Sequence, residues 1–124
     1  MSTLVAQTIS NGTVSTSSAN VIQGSAKAWV RFNASSGTPV INASYNVSSV
    51  TLVSGSGIWL ITMTNALSDA NYVITGTTGN ANSTIYVFAN SFSAAPTSSA
   101  FQVVTASLAG SGANLTYNSV AVFR

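Results

Sequence analysis

Four side chains in this sequence carry charge at neutral pH: Lys27, Arg31, Asp69 and Arg124. There is no histidine and no cysteine, and Asp69 is the single acidic side chain. General acid–base catalysis needs a positioned group that titrates near the working pH, and none of these residue types does so at its ordinary pKa. A glycosidase needs a pair of carboxylates, which one aspartate cannot supply. A Ser–Lys dyad through Lys27 is formally available because serines are abundant, but nothing marks one serine as a nucleophile. Completing a site with residues from neighbouring copies does not help, since each copy brings the same inventory. The expected catalytic set is therefore empty, and no cofactor is implied. One carboxylate with backbone carbonyls is also a poor Ca²⁺ cage, so no metal is expected. In Asn65-Ala66-Leu67-Ser68-Asp69-Ala70-Asn71 the aspartate instead suits an Asx-type turn, its carboxylate accepting a backbone N–H.

What remains is recognition chemistry. Lys27, Trp29 and Arg31 alternate with apolar residues, which sets an aromatic between two cations at i−2 and i+2, roughly 7 Å away along an extended chain. One expectation is a pair of long cationic stems lying over the Trp29 ring. The other is a contact with another chain or a ligand. Trp29, Tyr45, Trp59, Tyr72, Tyr86, Phe88 and Tyr117 have faces that stack on sugar rings, although most of them suit a core better. The candidate contact surface is Lys27, Trp29, Arg31 and Tyr86, the last in a strand-like run beside a polar loop. Nucleic acid is not an expected partner, because affinity for it scales with the number of cations facing phosphates, and three scattered cations are too few.

The element that must carry Trp29 is legible. In Ser25–Asn33, Ala26, Ala28, Val30 and Phe32 fall on one side of an extended chain and Lys27, Trp29 and Arg31 on the other, the period of a strand with unlike faces. Strands are also expected over Thr3–Ile9, Val40–Tyr45, Val47–Val53 after a bend at Asn46, Ile58–Met63, Tyr72–Thr75, Thr84–Ala89, Ala100–Leu108 and Leu115–Phe123. Turn signals separate them at Ser10-Asn11-Gly12-Thr13, Ser35–Pro39, Ser54-Gly55-Ser56-Gly57, Gly76–Ser83, Ala94–Ser98 and Gly110-Ser111-Gly112. Ile58–Met63 is apolar on both faces and reads as a central strand covered on both sides. Ser15–Asn20 reads as an exposed connection, and helical periodicity is nowhere sustained. The expectation is an all-β fold. It is a single antiparallel β-sandwich, jelly-roll-like, of about eight or nine short strands over residues 1–124, with residues 1–24 as an N-terminal arm or docking strand.

Charged residues make up 3% of the chain against about 25% in ordinary domains. The chain is nonetheless 46% hydrophobic, which disordered chains are not. Its surface must therefore be wetted by hydroxyls and amides, and such a surface repels copies of itself weakly. That suits a subunit packed against neighbours. No run is long enough for a membrane-spanning helix, and the N-terminus lacks the cationic and apolar regions of a signal peptide, so no membrane insertion is expected.

Ala26-Lys27-Ala28-Trp29-Val30-Arg31-Phe32-Asn33 resembles the Ala-Lys-Ala-Trp-Val-Asn-Phe-Asn run of small virion proteins from tailed phages, many of them marine phages or cyanophages. Ile41–Thr51, Asp69-Ala70-Asn71-Tyr72 and the ending Val120-Ala121-Val122-Phe123-Arg124 are similar to the same family, as is the opening Met1-Ser2-Thr3-Leu4. Two features depart from it: Arg31 stands where asparagine is usual, and Ser54–Trp59 replaces a loop commonly reading Asp-Asn-Gly-Thr-Gly-Asp-Tyr. The resemblance implies a non-enzymatic virion part, either a tail-fibre-like appendage or a head-surface decoration (cement) protein. It also implies a homotrimer that meets other virion proteins and contacts the host, with a host surface glycan as one such contact. A carbohydrate-binding module is the reading from a different class. No ligand site carries over from the family.

Overall fold

The computed structural model describes residues 2, 5–82, 84–90 and 93–124. Thr3 and Leu4, which open the first expected strand, lie outside these. Of the strand expected over Thr3–Ile9, Val5, Ala6 and Gln7 are not in a strand, and β1 (Thr8–Ser10) forms a small hairpin with β2 (Ser15–Ser17) because the Asn11 turn pairs only three residues on each side. Its turn is the expected one, with Asn11 Oδ1 accepting from the Thr13 and Val14 amides at 3.0 and 2.8 Å. The connection expected over Ser15–Asn20 is instead β2 followed directly by the start of a short helix, α1 (Ser18–Gly24). Ser17 caps it by accepting from the Asn20 amide at 3.2 Å, as a serine at that position does. Two turns are too short for a periodic stripe, and α1 buries none of its residues, so the sequence held no amphipathic signal to find.

Eight further strands make the sandwich. They are β3 (Ala26–Asn33), β4 (Val40–Tyr45), β5 (Val47–Ser54), β6 (Ile58–Met63), β7 (Val73–Gly79), β8 (Tyr86–Asn90), β9 (Ala100–Ser107) and β10 (Tyr117–Phe123). One four-stranded sheet has the order β4-β3-β10-β7 and the other β5-β6-β9-β8, and every pairing is antiparallel. The protein is an all-β sandwich. Hairpins β3-β4, β5-β6 and β8-β9 stay within a sheet, while β4 to β5, β6 to β7, β7 to β8 and β9 to β10 change sheets. Read around the sandwich, β10 returns to lie beside β7 after β7-β8-β9, which is a Greek key.

The sheet switch from β4 to β5 occurs at Asn46, whose φ is 53°, a left-handed conformation that asparagine tolerates better than most residues. Its side chain donates to the carbonyls of Lys27 (3.0 Å) and Asn65 (3.1 Å) and accepts from the Asn65 amide (2.8 Å). The expected bend is thus a corner pinned to β3 and to the chain just after β6.

The core lies between the sheets. Ala28, Val30 and Phe32 of β3 and Val120 and Val122 of β10 face Trp59, Ile61 and Met63 of β6 and Phe101 and Val103 of β9. The Phe32 and Trp59 rings meet edge to face with centroids 5.8 Å apart. The buried Trp59 Nε1–H donates to Thr105 Oγ1 at 2.9 Å, and that hydroxyl donates on to the Ala113 carbonyl at 2.7 Å. Asn118, also buried, donates to the Phe32 and Leu115 carbonyls and accepts from Thr78 Oγ1 at 2.6 Å. Burying polar groups without partners would be costly, and these groups have theirs.

Two expectations need correction. β6 is central in its sheet, but only one of its faces is fully buried. Ile58, Leu60 and Thr62 point outward and are half-buried, because no second layer covers that face and only neighbouring strands shield it. The loop expected from Gly76 is strand as far as Gly79. Gly76 is not a breaker here. A Cβ on it would lie 2.7 Å from Phe88 Cζ and 2.5 Å from the Ser119 carbonyl oxygen, so glycine is what lets the Phe88 ring close the gap between β7 and β8.

Candidate contact face of the outer sheet

Alternation along β3 sends Ala28, Val30 and Phe32 into the core and leaves Trp29 and Arg31 outside, as expected. Trp29 is 40% exposed, a large aromatic left half in water. Its sheet neighbours follow from the register. Trp29 stands in a row with Tyr45 on one side and Ala121 and then Thr75 on the other. Arg31 stands in the next row with Ala43 on one side and Ser119 and then Thr77 on the other. The β10 residues in both rows are small, so the face sinks along β10. The result is an open groove of about 360 Å³, walled by Trp29 and Arg31 on β3 and by Thr75 and Thr77 on β7, with Ser119 and Ala121 as its floor.

Arg31 is exposed and has no hydrogen-bond or ion-pair partner among the described residues. Lys27 behaves differently. It sits where β3 and β10 slip register between Ala28 and Ala26. Its ammonium donates back to the Ile22 carbonyl and, at 3.2 Å, to Ser25 Oγ. It therefore caps the C-terminal end of α1, where a cation is favoured, and does not lie over Trp29. The expected cation–aromatic–cation arrangement is corrected to an aromatic with one free guanidinium.

Tyr86 is not on this face. It belongs to β8 in the other sheet, half-buried, with its hydroxyl bonded to the Asn82 side chain at 3.1 Å. The structure brings Trp29 and Arg31 together and leaves Lys27 and Tyr86 out. The groove residues that sequence reading missed are Thr75, Thr77, Ser119 and Ala121. Their outward alternation was readable, but which strand lies beside β3 is set by the fold.

Asp69 forms the expected turn, accepting from the Asn71 amide at 2.8 Å, and also holds Arg124. The Arg124 Nε–H donates to Asp69 Oδ1 at 3.0 Å, and its Nη2 donates to Oδ2. The Arg124 guanidinium, and then the Asn71 amide, hold the Asp69 carboxyl below its ordinary value of 3.8. The aspartate is exposed, so water screens this pair. Its work is to tie the end of β10 to the β6–β7 connection. Burial pushes the Tyr72 phenol above 10.0; that hydroxyl donates to the Thr97 carbonyl at 2.8 Å.

Among the described residues no three histidine, cysteine or acidic side chains cluster as metal ligands, and no helix is long and apolar enough to cross a membrane. Comparison with protein-family models, with curated proteins and with solved structures finds no match to this chain.

Proposed function

We propose that the protein is a non-enzymatic structural subunit of a tailed-phage particle, a fibre or appendage component that acts as a homotrimer among other virion proteins and presents the Trp29 face to the host. The observation that supports this best is the uncovered apolar surface of a chain almost without charge. Val5 (85% exposed), Ile9, Val14, Val21 and Ile22 (62% exposed) line the segment before β3 and none is buried. Five exposed apolar groups within residues 5–22 offer a neighbour surface to cover. The resemblance of Ala26–Asn33 and the later stretches to phage virion proteins points the same way, and the inventory of titratable groups leaves no acid–base pair for catalysis.

A second reading, capsid decoration, is favoured by the form of that segment. A hairpin and a two-turn helix projecting from one sandwich suit docking onto a lattice better than they suit a fibre shaft. Antibody against the purified protein should label intact particles. Label at an appendage supports the first reading, label over the head supports the second, and absence from purified particles overturns both.

A further inference from the structure

We propose that the groove on the outer face of the β4-β3-β10-β7 sheet binds a carboxylate-bearing sugar, with Trp29 as the stacking platform and Arg31 as the anchor for the carboxylate. The inference takes from the proposed function only that this face points outward.

The first argument is charge. Lys27 is occupied by the Ile22 carbonyl and Ser25, and Arg124 by Asp69. Arg31 is the one cationic side chain without a partner among the described residues. A second copy of this chain cannot satisfy it with a spare acidic side chain, because each copy has Asp69 alone and has committed it to Arg124. An acidic side chain to pair with it therefore has to come from a different molecule, and so does any carboxylate borne on a sugar. A guanidinium fork fits a carboxylate with two parallel hydrogen bonds.

The second argument is shape and lining. Trp29 and Arg31 project from one strand two residues apart, roughly 7 Å. The opposite wall, on β7, lies two strand spacings away, about 9.5 Å. That trough accepts one pyranose ring against the indole, with its acidic substituent, or that of the next ring, beside Arg31. The remaining polar groups are the hydroxyls of Thr75, Thr77 and Ser119, which both donate and accept and so suit the hydroxyls of a sugar. β3 and β10, which carry the platform, the anchor and the floor, are interior strands of this sheet and offer no open edge to an added peptide strand.

The test is an array carrying uronic-acid and sialic-acid oligosaccharides, their methyl esters, sulfated oligosaccharides and poly-glutamate, probed with the full-length protein. The expected result is retention of a carboxylate sugar and loss of signal on its methyl ester. Titration with that sugar should then show affinity lower by about tenfold or more in Arg31→Gln and in Trp29→Ala. Both side chains lie outside the core, so both variants should unfold as the parent does. Lys27→Gln, which removes equal charge away from the groove, should bind as the parent does. Retention of no carboxylate sugar, equal binding of the methyl ester, preference for sulfated sugar or poly-glutamate, or equal loss in Lys27→Gln would each overturn the proposal. Labelling of particles is read separately, so a protein absent from virions that still binds the sugar fails the virion reading and keeps the groove.

Discussion

Individual residues in this protein matter through hydrogen bonds that cannot be replaced by water. Thr105 carries the clearest case. Its buried hydroxyl accepts from the Trp59 indole and donates to the Ala113 carbonyl, which links β6, β9 and the segment after β9. Thr105→Val keeps the shape and removes both bonds, so it should lower unfolding free energy by about 1–3 kcal/mol. Thr105→Ser should cost less, because the hydroxyl stays. Denaturant melts of the three proteins decide this, and a neutral valine variant would show that the network contributes nothing. Trp59→Ala removes the largest core side chain, and a loss of about 3–5 kcal/mol is expected. Asp69 carries the acid sensitivity. Its folded pKa lies below 3.8, so its contribution is present above the unfolded value and is lost as pH falls through the folded one. Stability should decline below about pH 4, and Asp69→Asn should flatten that decline. An unchanged acid limb in the variant would assign it elsewhere.

At the scale of elements, legibility followed the length and the contrast of the pattern. β3 could be read residue by residue because Ala26, Ala28, Val30 and Phe32 alternate with Lys27, Trp29 and Arg31 along it. β4, β5 and the Asn46 corner were also readable, since one asparagine separates two β-branched runs. The helix α1 was not, because Ser18–Gly24 has no buried face to impose a period. The end of β7 was misjudged for a related reason: Gly76 and Gly79 look like loop residues until Phe88 is known to pack on Gly76. Trp29 and Arg31 as a contact pair were legible locally. The groove around them was not, since β10 and β7 come from far along the chain. Glycine at the β5–β6 turn is a comparable case of tertiary demand. Gly57 has φ +77°, and a Cβ there would sit 2.1 Å from the Thr105 carbonyl oxygen. Gly57→Ala should therefore destabilise by more than the ~1–2 kcal/mol that a left-handed conformation alone costs an alanine. Gly55→Ala, at a site with open space around it, should cost less. Equal melting temperatures for the two variants would contradict the close approach.

At the scale of the whole molecule, the scarcity of charge governs both solution behaviour and assembly. The chain has no histidine, cysteine or glutamate, so unfolding free energy should stay nearly constant from about pH 5 to 9. Above pH 10 the raised Tyr72 phenol withdraws stability, because the unfolded chain ionises first. Association should be equally indifferent to salt, since screening acts on charges and the uncovered surface has few. Among the described residues every fully buried side chain belongs to residues 28–122, and none lies in the segment before β3, so the described part of that segment adds little to folding. Its exposed valines and isoleucines are instead available to a neighbour. On the proposed function, in which the protein acts as a homotrimer, sedimentation of the full chain at micromolar concentration should show a trimer that persists from about 0.1 to 1 M salt. A protein lacking residues 1–24 should sediment as a monomer and melt as the parent sandwich does. A full-length protein that is monomeric, or a truncated one that still trimerises, would place assembly on the sandwich faces instead. A trimer that falls apart in salt would mean that three cations and one acid matter more to assembly than the apolar segment does.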